Sequence, residues 1–349
     1  MTALLEIEDL RVHFPIKSGA TFGRVTGHVR AVDGVSIDIR RGETLGLVGE
    51  SGSGKTTLGR AVLRVVEPTD GRMTLHLDGR DVDIRALDRR GLRRIWRHMQ
   101  LIFQDPYASL NPRMTVRDII GESLLVNGIA RGADLEARVV DIVRRCGLDA
   151  EHLGRYPHAF SGGQRQRISI ARALVMRPEF IVCDEPISAL DVSIQAQVLN
   201  LLKTLQEDLG LTYLFIAHDL AAVAYACDRV AVMYLGQIVE LADTRDLYYT
   251  PKHPYTEALM SAIPVADPDA ALRPVLLPGE RPDPSNPPPG CRFHTRCRYA
   301  DAKCRAEMPM LAPIGEGHRV ACHYAGVLKL AGAREHADKL ANAPASARI

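Results

Sequence analysis

At 349 residues the chain exceeds the about 250 to 300 residues over which a single core keeps growing, so it is expected to hold two domains or one core with a large extension. Hydrophobic residues at 46% and charged residues at 25% exclude the disordered and collagen-like classes, and 44 basic against 42 acidic residues, a formal net charge of +2, give no electrostatic case for general nucleic-acid binding. No run of about 18 apolar residues occurs, and the opening MTALLEIEDL lacks the basic and apolar stretches of a leader, so a cytosolic chain that meets a membrane only through partners is expected.

Along the chain, Thr44 to Val48 is a short apolar run ending at a glycine, the pattern of a buried strand feeding a turn. Leu58, Ala61, Val62, Val65 and Val66 then recur at helical spacing, which makes a strand, loop, helix unit. From Leu87 to about Val175 the patterning is mostly helical and rich in arginine, with a strand only at Gln100 to Phe103, so a helical insertion is predicted. Its basic stretch, Arg89 to His98, reads as a solvated helix face in preference to a nucleic-acid site. Two later runs, Phe180 to Cys183 and Tyr213 to Ala217, are aromatic and β-branched and suit central strands of a parallel sheet. The fold class is therefore α/β. Beyond Pro251 the prolines at 264, 268, 274, 278, 282, 284 and 287 to 289 break regular structure and mark a linker or an irregular module. An alanine-rich tail after Tyr324 reads as a helix or as disorder, and no internal repeat is present.

Three motifs carry chemistry. Gly49-Glu50-Ser51-Gly52-Ser53-Gly54-Lys55-Thr56, followed by Thr57, fits the P-loop pattern between a predicted strand and helix. Its backbone N–H groups would wrap the phosphates of ATP, Lys55 would contact the β- and γ-phosphates, and Thr56 would place its hydroxyl on Mg²⁺. The strand Phe180-Ile181-Val182-Cys183 ends in Asp184 and Glu185, which resemble a Walker-B pair, one to hold Mg²⁺ and one to act on the attacking water as general base. In isolation such a pair could equally be solvated acids at a strand end. Ser161-Gly162-Gly163-Gln164, after Phe160, could be no more than a glycine turn with a serine helix cap. Its order and spacing before the carboxylate pair give it more weight.

Together these motifs resemble the ABC ATPases, whose signature reads Leu-Ser-Gly-Gly-Gln; here Phe160 stands at the leucine. The resemblance covers residues 4 to about 245. It implies a P-loop NTPase core of the ABC type with a helical subdomain, about 90–175, in a cassette of residues 1–245. It also implies that Gln104 reaches Mg²⁺ and the attacking water, that Asp191 belongs to a D-loop, that His218 senses the γ-phosphate, and that Phe14 stacks on adenine. The signature donors have no phosphate to serve beside their own P-loop, so they would complete a site across a head-to-tail dimer of cassettes. ATP would then close the dimer and hydrolysis open it.

The stretches Arg30 to Ser36, Asp105 to Pro112, Tyr156 to His158, Val192 to Val198 and His253 to Thr256 are similar to the ATPases of dipeptide and oligopeptide importers. Ser193 and the 17–30 insertion resemble the F-type paralogue. That implies a motor at the cytoplasmic face of the membrane, paired with a paralogous ATPase, two permeases and an extracytoplasmic peptide-binding protein, with no nucleic-acid partner. Nickel or antimicrobial peptide cargo is compatible with the same resemblance. A soluble ABC ATPase of translation or DNA repair fits less well, because the chain has one cassette and only residues 58–160 between P-loop and signature. A kinase or GTPase would lack the signature.

Of seven cysteines, Cys146, Cys183 and Cys227 are scattered, and the odd total argues against a disulfide framework. Cys291, Cys297, Cys304 and Cys322 crowd in a predicted small, irregular, Cys-rich C-terminal domain, residues 246–325, ahead of a tail at 326–349. Five residues separate the first two and six the next, unlike the close pairs of zinc sites. Four thiols without a short pair suit a four-iron, four-sulfur cluster (4Fe-4S) better, with zinc or free cysteines as alternatives. The peptide importer ATPases, some of which carry such a cluster, resemble the chain here as well, in Gly290 to Cys297 and Ala321 to Tyr324. Its role would be to staple a module without a core of its own.

Overall fold

The computed structural model describes residues 2–17, 23–77, 79–263 and 275–332. Strands within these are β1 (Ala3–Lys17), β2 (Val25–Arg40), β3 (Thr44–Val48), β4 (Asp70–Leu77), β5 (Arg80–Asp83), β6 (Met99–Ile102), β7 (Phe180–Asp184), β8 (Thr212–Ile216), β9 (Arg229–Tyr234), β10 (Gln237–Asp243), β11 (Ala312–Gly315) and β12 (His318–Val320). They form a four-stranded sheet in the order β2-β1-β4-β5 and an eight-stranded sheet in the order β11-β12-β10-β9-β3-β8-β7-β6.

The larger sheet is parallel from β6 through β9 and antiparallel beyond. Strands β3, β7, β8 and β9 are buried at every position, which requires cover on both faces and explains their unbroken apolar runs. Alternation supplies two cores. Phe180, Val182, Leu214 and Ile216 pack with the β1–β4 sheet and the helix Lys55–Val62, whereas Ile181, Cys183, Tyr213 and Phe215 pack with the helical region. Between β6 and β7 the longer elements are the helices Val116–Val126, Gly132–Arg145 and Gly162–Leu174. The basic stretch forms the helix Arg89–Ile95, capped by Asp88 with its arginines outward. No helix among the described residues is long and apolar enough to cross a membrane.

One feature is added and one expectation changes. Beside the parallel strands, β1, β2, β4 and β5 make an antiparallel sheet that covers one face of the larger sheet. The C-terminal extension is less irregular than its prolines suggest, because β11 and β12 form a hairpin that continues the main sheet, with Val320 opposite Glu240. It also borrows the cassette's core: Phe293 is buried with its ring centroid 5.2 Å from that of Tyr234 and 5.4 Å from that of Tyr255. The expected breaks at Pro264, Pro268 and Pro274 and most of the alanine-rich tail lie outside the described residues.

A buried ion pair joins the two sheets. Arg229 on β9 donates to Glu43 at 3.1 Å and to Asp38 on β2 at 3.1 Å, with Arg229 and Glu43 each 4% exposed. Burial pushes the Glu43 carboxyl up, against the pull of the Arg40 N–H and Arg229. Arg229→Met strands a buried carboxylate and is expected to cost about 3 to 5 kcal/mol, read as a lower urea midpoint. Adding Glu43→Gln should return part of that loss.

Candidate active site

The P-loop leaves the end of β3 and runs into the helix Lys55–Val62. Two glycines set its course. Gly49 has φ 149° and a Cβ there would meet the Met233 carbonyl at 2.2 Å; Gly54, the N-cap, has φ 110° and a Cβ would meet the Ala31 carbonyl at 2.1 Å. Only glycine allows the backbone to pass so close to these carbonyls. Lys55 is buried, and its ammonium donates to the carbonyls of Gly49 at 2.7 Å and Glu50 at 3.1 Å. Burial lowers its pKa, opposed by the charges of Glu185 and Asp184.

The other groups emerge from neighbouring strand ends. Asp184, last residue of β7 and 2% exposed, accepts from the Thr56 hydroxyl at 2.9 Å and lies 3.5 Å from Arg60. A hydroxyl and a carboxylate oxygen side by side form the hard-oxygen donor set that Mg²⁺ selects, so the site fits that ion. Glu185 takes φ 50°, a left-handed conformation rare outside glycine and associated with functional sites. The Gln104 amide donates to its carboxylate at 2.7 Å, and His218 Nδ1 stands 3.6 Å from the same oxygen. Ser51, Gly52, Gly54, Lys55, Thr56, Thr57, Gln104, Glu185 and His218 line one cleft of about 390 Å³.

The signature residues lie outside that lining. Ser161 caps the helix Gly162–Leu174 in a reciprocal box, its N–H donating to the Gln164 side chain at 3.0 Å and its hydroxyl accepting from the Gln164 N–H at 3.3 Å. Phe160 is buried, so the replacement of leucine is a change of packing residue only. Asp191 caps the helix Val192–Leu209 through its carbonyl and uses no side-chain bond to do so. Phe14 is 41% exposed on β1, also outside the cleft lining.

Cys291, Cys297, Cys304 and Cys322 line one cavity of about 20 Å³. Burial pushes the Cys291 thiol up to about 12 and Cys322 up to about 11. Among the described residues no three His, Cys, Asp or Glu side chains are grouped as ligands of a single metal ion. Four soft thiols around a shared space nevertheless match the donor set of a multinuclear cluster.

Sequence reasoning missed several groups at the P-loop. Arg281 donates to the Ser51 carbonyl, Arg296 pairs with Glu50, and the Tyr255 hydroxyl accepts from the Glu50 N–H at 2.8 Å. All three come from beyond residue 250; Tyr255 and Arg296 lie in stretches that the resemblance covers, whereas Arg281 lies in none.

A nucleotide loop, an acidic pair at the next strand but one and a capped signature helix on this sheet define an ATP-binding cassette of the ABC type. The ABC transporter family model matches residues 32–188, and the model for the oligopeptide/dipeptide transporter C-terminal region matches 239–304. A putative peptide import ATP-binding protein of Brucella ovis is 53% identical over 92% of this chain and 98% of its own length. The oligopeptide transport ATP-binding protein AppF of Bacillus subtilis is 49% identical over 92% of this chain and 97% of its own. Among solved structures, cbiO1 of Clostridium perfringens, part of an ABC transporter complex, aligns with TM-score 0.59 and 27% identity over 71% of this chain and 91% of that one. A dimeric ATP-binding cassette with ADP and phosphate bound aligns with TM-score 0.58 and 26% identity over 69% and 99%. The chain belongs to the family of ABC transporter ATP-binding subunits that carry the oligopeptide/dipeptide transporter C-terminal region.

Gly54→Ala forces a Cβ into the Ala31 carbonyl at a positive φ. It should cost about 1 to 3 kcal/mol of stability and abolish ATP binding, measured by thermal unfolding and by fluorescent-nucleotide titration.

Proposed function

We propose that the chain is the ATP-hydrolysing motor of an ABC importer for dipeptides or oligopeptides. The observation that carries the chemistry is the Glu185 carboxylate, held by Gln104 and beside His218 in the cleft that Lys55 and Thr56 also line. The P-loop N–H groups, Lys55 and Thr57 would bind the triphosphate, with Lys55 exchanging its carbonyl partners for β- and γ-phosphate oxygens. Thr56, Asp184 and Gln104 would hold Mg²⁺, which when bound neutralises developing charge on the phosphates. Glu185 accepts the proton of the attacking water, whose oxygen bonds to the γ-phosphorus as the bond to the ADP oxygen breaks. Gln104 orients the carboxylate, and His218 stands where it can contact the γ-phosphate. Phe14 would stack on adenine.

Ser161, Gly162, Gly163 and Gln164, with Asp191, would complete the site of a partner cassette in a head-to-tail heterodimer with a paralogous ATPase. Residues 1–245 would act as the cassette, 246–325 as the extension and 326–349 as a tail. Permeases would receive the closure through the helical region, which places the motor at the cytoplasmic face of the membrane, with a peptide-binding protein on the far side. The four thiols surround a shared space instead of meeting at a point, and this favours a 4Fe-4S cluster over lone zinc as their ligand, held by Cys291, Cys297, Cys304 and Cys322. Such a cluster would cross-link the extension.

Glu185→Gln should keep ATP binding and lower turnover about 10² to 10⁴-fold, with an ATP-bound dimer accumulating on gel filtration. Turnover at the wild-type level would remove Glu185 from the base role. Anaerobically purified protein should be brown, with iron and acid-labile sulfide near about four each per chain. Colourless protein with stoichiometric zinc would overturn the cluster assignment.

A further inference from the structure

Arg292, Arg296 and Arg298 surround the second cysteine of the extension, and each reaches a carboxylate on a different element. Arg292 pairs with Asp33 on β2, Arg296 with Glu50 in the P-loop, and Arg298 with Glu257 on the helix Pro254–Ser261. The Arg296 contact is bidentate, 2.8 and 3.1 Å to the two oxygens of Glu50, and its side chain is 9% exposed. A planar fork fixes orientation as well as distance.

Glu50 is a pivotal residue for the loop. Its carboxylate is held by Arg296, its N–H by the Tyr255 hydroxyl, and its carbonyl accepts the Lys55 ammonium at 3.1 Å. Two of the three partners lie beyond residue 250, outside the strand and helix that otherwise define the loop. Arg296 is joined by one peptide bond to Cys297, so whatever holds that thiol also restrains the backbone from which the Arg296 side chain reaches Glu50.

We propose that Arg296 is a positioning residue for nucleotide binding, setting the P-loop from the cysteine-bearing extension through its paired bonds to Glu50. The proposal rests on the ATPase reading above. A purely mechanical role, holding the segment around Cys297 in place, would be shared by Arg298, whose pair with Glu257 at 3.0 Å ties the same segment to the helix Pro254–Ser261 and not to the P-loop itself. The two roles therefore separate experimentally.

In the full-length chain, fluorescent ATP analogue titration and nucleotide-free thermal unfolding are measured for Arg296→Gln, Arg296→Lys and Arg298→Gln. Arg296→Gln should raise the Kd about tenfold, within the range of coupling between sites, and Arg296→Lys should raise it less because charge is kept and the fork lost. Arg298→Gln should leave the Kd within about twofold of wild type even where it lowers the Tm. Wild-type Kd in both Arg296 variants overturns the proposal, as does an equal rise in Arg298→Gln. Failure of both Arg296 variants to fold would make the residue an anchor and overturn it too. A wild-type chain that binds no ATP would refute the ATPase reading itself, and the coupling with it.

Discussion

The site depends on the pairing of β8 with the strands on either side of it. Ile216 stands opposite Leu47 on β3 and opposite Asp184 on β7, so three strands run out of ladder at one level. Two residues past Leu47 comes Gly49, one past Asp184 comes Glu185, and two past Ile216 comes His218. Strand β6 pairs with β7 in the same sense, Ile102 opposite Cys183, and delivers Gln104 to that edge. A slip of one residue in any of these pairings would turn the apolar set of that strand to the wrong face. Because both faces are packed, the register that protects the two cores also aligns the chemistry.

Around this edge the chain closes on itself. The turn after β9 reaches the loop through the Gly236 N–H, which donates to the Ser53 carbonyl at 2.8 Å. The extension adds Tyr255, and its hairpin seals β10, whose buried Glu240 takes His318 at 2.7 Å and the His253 N–H at 3.0 Å. What begins in the sequence as a proline-broken appendage therefore shares both sheet and core with the cassette. Its four thiols share their cavity with Phe293, whose ring packs on Tyr234 and Tyr255.

The chemical residues were legible because each motif is local. A glycine loop followed by Lys55 and Thr56, or a strand ending in Asp184 and Glu185, shows its function in eight residues or fewer, and the flanking periodicity supplies strand and helix. Strands β1 and β2 were hard to read, because their pairing is broken by repeated register shifts and Asp9 sits at a positive φ within β1, so steady alternation survives only over Val35 to Arg40. The Glu50 partnership was hidden for another reason: its arginine lies 246 positions away and nothing in either neighbourhood signals the other. Cysteine spacing drew attention to the extension, yet the residues between the cysteines make its contacts to the nucleotide loop.

The internal bonds of Lys55 bear on which anions the empty loop will accept. Two carbonyls occupy two of the three donors of its ammonium, so an incoming anion competes with them. A lone inorganic phosphate offers little beyond one charged group in exchange for those bonds and the desolvation of its own charge. A triphosphate brings a row of oxygens that the loop N–H groups, Thr56 and Thr57 can engage together. The loop thus favours, by polyvalency, a chain of phosphates over a single one.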